Sequence, residues 1–131
     1  MANASNYLEP ALLNHLLKKG TVDFTSPTAL YIGLWTANPS PGASGTEVSG
    51  NNYARMTVAF NTASSGTTTN DGAITFLPAT GGDWGDIAFV GLYDALTTGN
   101  LLVWSALAVT KTVSDGDTFV IADDNLTINL A

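Results

Sequence analysis

The chain has 131 residues, four Lys and Arg against eleven Asp and Glu, a formal net charge of −7, one histidine and no cysteine. Lys18, Lys19, Arg55 and Lys111 are too few cations to track a phosphate backbone or to dock on an anionic lipid surface, so neither nucleic acid nor a membrane is an expected partner. Without cysteine the chain has no disulfides, thiolate ligands or thiol nucleophile, and its 11% charged residues, against about 25% in ordinary soluble domains, predict a surface that neighbours partly cover.

The length predicts one domain over residues 1–131. The opening Met1-Ala2-Asn3-Ala4-Ser5-Asn6 has no basic or apolar region, so no signal peptide is expected. No apolar run reaches the roughly 18–20 residues of a membrane helix.

The first predicted element is a helical arm over about residues 6–19. Asn6 three positions before Glu9 resembles a capping box, and Pro10 lies in the first turn, where its missing N–H costs little. Leu8, Leu12 and Leu16 form one stripe with Leu13 and Leu17 beside it. Lys18 and Lys19 suit the negative end of the helix, and Gly20 supplies a left-handed stop. Five leucines are more than a short arm needs to lie alone on a surface, so the arm should pack on the sandwich or on a neighbouring subunit.

From Thr28 the apolar period becomes two. Strands are predicted at Ala29–Trp35, apolar on both faces and therefore central, and at Tyr53–Phe60, with Ala54, Met56, Val58 and Phe60 facing one way and Tyr53, Arg55 and Thr57 the other. Further strands are predicted at Ala73–Leu77, Ile87–Tyr93, Leu101–Val109, Thr110–Val113, Thr118–Ala122 and Leu126–Leu130. Two long polar segments, Thr36–Gly50 with Glu47 as its only charge and Asn61–Gly72, read as contact-making loops. Ile87–Tyr93 and Leu101–Val109 should form an antiparallel hairpin. The fold class is all-β: a two-sheet, jelly-roll-like β-sandwich of about eight strands with one N-terminal α-helix.

Little of this supports catalysis. His15 sits mid-helix between leucines and reads as a packing or interface residue. The acidic turns Asp115-Gly116-Asp117 and Asp123-Asp124-Asn125 flank one strand and lie too far apart to share an ion, while calcium needs six to eight oxygens. Asp83, Asp86 and Asp94 read as loop residues that could come near one another, but no spacing marks two of them as a glycosidase pair. No enzyme activity, metal or cofactor is expected. Trp35 and Trp104 read as core, and Trp84, between Gly82 and Gly85, as a loop anchor or an interface anchor.

The segments Ser5–Glu9, Thr46–Arg55, Trp84-Gly85, Gly91–Asp94, Gly99–Trp104 and Asp115–Phe119 resemble those of a family of small tailed-bacteriophage virion proteins, head-decoration (cement) or tail-fibre-like. The resemblance implies a non-enzymatic virion subunit that assembles as a symmetric oligomer. The expected role is a capsid decoration protein on the outside of the head. Its partners would be copies of itself, as a homotrimer or a dimer, and the major capsid protein. A tail-fibre or baseplate component touching the host is the alternative, and a carbohydrate-binding module is a rival from another class. Candidate interface residues are Leu8, Leu12, Leu16, Tyr53 and Trp84.

Overall fold

A computed structural model describes residues 3–19, 24–39 and 45–130. The chain is mostly β, with one helix, as the alternating pattern requires. In chain order the elements are β1 (Asn3–Ala4), α1 (Leu8–Leu17), β2 (Leu30–Trp35), β3 (Met56–Val58), β4 (Thr67–Thr69), β5 (Ile74–Thr75), β6 (Gly85–Tyr93), β7 (Leu101–Val113), β8 (Val120–Ile121) and β9 (Thr127–Asn129). Five strands form an antiparallel sheet in the order β1-β7-β6-β2-β3. The second layer consists of two separate ribbons, β4–β9 and β5–β8, and the core lies between it and the sheet.

The period of two explains which residues meet there. Ile32 and Leu34 of β2, Val90 and Leu92 of β6 and Val113 of β7 pack with Ile74, Phe76, Phe119 and Ile121 around the ribbons. The alternate residues form a smaller cluster on the other face: Trp35, Tyr93 and Leu101, with Tyr31, Phe89 and Trp104 against them. The β2 strand is therefore apolar on both faces and covered on both. The predicted hairpin is β6–β7, with Tyr93 opposite Leu101 and Leu92 opposite Val103.

Several expectations are corrected. Leu101–Val109 and Thr110–Val113 are one strand, not two. The expected loop Asn61–Gly72 contains β4, paired with β9, and Phe60 bridges to Asn70, so it is built into the second layer. At its end Asn70 is fully buried, donating to the carbonyls of Gly72 and Ala122 and accepting from Leu126 N. The expected helical arm 6–19 is shorter, Leu8–Leu17. Its cap is Ser5, not Asn6: Ser5 Oγ accepts from Leu8 N at 3.2 Å and donates to the Leu101 carbonyl, while Ser5 N donates to the Leu102 carbonyl. Docking on β7 selects Ser5, which is buried there, over the exposed Asn6. At the other end Lys18 takes the left-handed conformation (φ 52°), and Lys19 N donates to Asn14 O. Gly20 lies outside the described residues.

Beyond Val103 and Trp104, where β1 pairs, the outer edge of β7 has no strand partner among the described residues. That edge is blunted. Between the pairs Ile87–Lys111 and Phe89–Ala106, residues 107–110 of β7 oppose Ala88 alone. A bulge of this kind and an edge lysine both discourage open-ended strand addition.

Candidate functional site

The outward feature of the molecule is α1. Leu8, at 9% exposure, and the Ser5 hydrogen bonds hold its first turn on β7. The rest of the apolar stripe is uncovered. Leu12 is exposed, and Leu13, Leu17 and Leu16 are 57%, 60% and 76% exposed. Tyr7, just before the helix, is exposed too. A ten-residue helix is marginal in water by itself, and here most of its apolar residues lie uncovered side by side. Glu9 stands at the N-terminal end of this face, and the exposed Lys18 and Lys19 follow its C-terminal end.

Tyr53 and Trp84 are brought together, but inside the sandwich and away from this face. Trp84 is only 6% exposed; its Nε1 donates to the Asn51 carbonyl at 2.9 Å, and its ring meets Tyr53 edge-on at 5.4 Å and Phe76 at 6.3 Å. It is the loop anchor of the two roles that its glycine-rich setting allowed. Tyr53 is half-buried; its hydroxyl donates to Glu47 Oε1 at 2.8 Å and accepts from Leu34 N at 2.9 Å. Trp35 is buried, and Trp104 is half-buried with its ring 6.1 Å from Phe89. The row of exposed tryptophan rings that a carbohydrate-binding module requires is therefore not present.

The sequence reading missed the centre of this region, an ion pair between Glu47 and Arg55. Arg55 Nε and Nη2 donate to the two Glu47 carboxylate oxygens, each at 2.8 Å. Nη1 donates to the carbonyls of Ala95 and Thr98 at 2.9 and 2.8 Å, and the guanidinium lies 3.4 Å from the centre of the Tyr93 ring. One side chain thus ties the returning limb of the 36–50 segment to the β6–β7 turn. Val48 N donates to Leu34 O and Thr36 N to Thr46 O, so that limb runs beside β2 as a pinned strap. Burial alone would lower the Arg55 pKa, but the hydrogen bond and charge of Glu47 outweigh it and hold the guanidinium above its ordinary value. Burial, then the Glu47 charge, push both Tyr53 and Tyr93 well above the ordinary phenol value. The available signal was scarcity: one Glu and one Arg eight residues apart in a stretch with no other charge.

The carboxylates of the acidic turns accept from backbone N–H groups, mostly of other loops. Asp117 accepts from Ser114 N, Asp115 from Gly81 N, Asp83 from Asp115 N and Asp123 from Gly72 N. Among the described residues no group of three or more His, Cys, Asp or Glu is placed to hold a metal ion, and no helix is long and apolar enough to cross a membrane. A groove of about 620 Å³ lies between Leu107–Val113 and Thr118–Ile121, and the charged side chains lining it are Lys111 and Asp117. His15 lies on α1, remote in sequence from both.

No curated protein matches the chain. A family model does, over residues 3–129: Podophage GP4 fiber I protein gp80. The match spans the exposed helix, the strap and the whole sandwich. The chain belongs to this family of phage fibre structural proteins, and its place is the virion.

Proposed function

We propose that the chain is a fibre subunit at the phage tail, a non-enzymatic structural part that works through standing contacts made by α1. The observation that carries this reading is the leucine face: a helix capped and docked by Ser5 and Leu8, then left with Leu12, Leu13, Leu16 and Leu17 in water. The family description, which names a fibre, supports the tail over the head lattice.

Magnitudes say how such a contact works. The four leucines expose rather more than two whole side chains' worth of surface, which is worth about 3–6 kcal/mol per copy when covered. Association costs roughly 4–15 kcal/mol in lost freedom. One such contact is therefore weak by itself, and it becomes firm when several act together in an assembled particle.

Gold-labelled antibody on intact particles tests the placement. Label at the tail, in a few copies per particle, is expected. Label over the head in hundreds of copies would overturn it in favour of a decoration role with the major capsid protein as partner.

A further inference from the structure

We infer that α1 docks on α1 of a second copy of this chain, antiparallel across a two-fold axis, with the leucine faces together and Glu9 of each copy beside Lys19 of the other. The inference rests on the reading of α1 as the assembly face and adds what covers it.

Charge complementarity selects the occupant. At 3.6 residues per turn, Glu9 falls within the stripe formed by Leu12, Leu13, Leu16 and Leu17, one turn before Leu13, and it is the only acid of the helix. Lys18 and Lys19 lie just past the other end, and both are exposed. From end to end, the helix and the residues just after it therefore run acid, leucines, base. Turned end for end, this order is its own complement: the reversal that sets Glu9 against Lys19 also sets Leu12 against Leu16. Such self-matching is what a two-fold, isologous contact requires. The helix dipoles then run opposite ways, and each acid meets the lysines that follow the other helix. A parallel arrangement, including three helices about a three-fold axis, gathers Glu9 with Glu9 and lysine with lysine at the same depth. A partner of other sequence would need the same acid–leucine–base order reversed, which a second copy supplies without further assumption.

The absence of cysteine makes the test clean. Protein carrying Glu9→Cys is mixed with protein carrying Lys19→Cys under mild oxidation. The expected result is a disulfide-linked dimer in the mixture and little from either variant alone. A Glu9→Cys homodimer, or no cross-link in the mixture, overturns the inference, the first in favour of a parallel pair or trimer. Sedimentation over a concentration series gives a second reading: Glu9→Lys should weaken self-association roughly tenfold, and adding Lys18→Glu and Lys19→Glu should restore it. Those additions oppose the helix's own dipole, so recovery cannot come from a stabilised single helix, and far-UV circular dichroism confirms that α1 persists. Where the mixture fails to cross-link but Leu13→Asp with Leu16→Asp still keeps the protein off the virion, the two-fold pair is wrong and the assembly face stands. Where that double variant incorporates normally, the assembly face itself is wrong.

Discussion

Gly33 and Gly91 lie directly opposite one another on β2 and β6, and neither position has room for a Cβ. On Gly33 a Cβ would sit 2.8 Å from Glu47 Oε1 and 3.0 Å from the Tyr93 ring; on Gly91, 2.7 Å from Leu101 and 3.0 Å from Trp35 Nε1. This bare patch of sheet lets Trp35 and Tyr93 lie parallel, with centroids 6.4 Å apart and planes within 1°, and lets the Glu47–Arg55 pair close over them. The glycines serve close approach rather than a turn.

Gly33→Ala should therefore destabilise the fold by about 1–3 kcal/mol, because Glu47 and Tyr93 are both held and cannot move aside freely. The measurement is the urea midpoint, which should fall with an unchanged slope. A midpoint equal to that of the parent chain would show that the strap does not press on the sheet.

Removing Arg55 should cost more. Arg55→Ala strands a part-buried carboxylate and leaves the carbonyls of Ala95 and Thr98 without their donor, a loss of about 3–5 kcal/mol. Arg55→Lys cannot reproduce the two-pronged contact and should be clearly destabilising as well. The double variant Glu47→Ala with Arg55→Ala should be less damaging than the sum of the two single changes, by about 1–3 kcal/mol, in a denaturant cycle.

Alkali should unfold the protein through its buried phenols. Tyr53 and Tyr93 have folded-state pKa values above the ordinary value of 10.0, so the folded chain keeps protons that the unfolded chain releases. Their contribution is fully present below pH 10 and is lost as pH rises beyond it. Absorbance of ionised tyrosine should show part of the four-tyrosine signal appearing only together with the loss of secondary structure. Complete ionisation with the fold intact would contradict the placement of both rings.

Trp84→Ala should fail by loss of core rather than loss of contact. Its ring packs with Tyr53 and Phe76, so truncation should cost about 3–5 kcal/mol by denaturant titration. Ser5→Ala should cost about 1–2 kcal/mol and act on α1, seen as a drop in helical signal with the sheet retained.

Much of the architecture was legible because it is written in short-range pattern. The alternation in Leu30–Trp35 announces a strand covered on both faces, and Leu8–Leu17 announces a helix with too many leucines. What stayed hidden depends on partners far along the chain. Thr67–Thr69 reads as polar loop and becomes strand only because β9 arrives beside it. Ser5 outranks Asn6 as the cap because the Leu101 and Leu102 carbonyls lie next to it. Tyr53 was expected at an interface; it is half-buried instead, with its hydroxyl held by Glu47 of the strap, a partner brought near only by the fold. The exposed leucines were legible as a stripe, but only the fold shows that Leu8 alone among them is spent on the subunit's own core.

The central claim is that α1 is the face by which the subunit joins the virion, and one measurement meets it directly. Particles assembled with Leu13→Asp, Leu16→Asp protein as the only source of this chain should be compared with parent particles by quantitative mass spectrometry. Both sites are exposed, so the purified variant should melt close to the parent; it should nonetheless be missing from the particles. Parent-level incorporation of a normally folded variant would contradict the account.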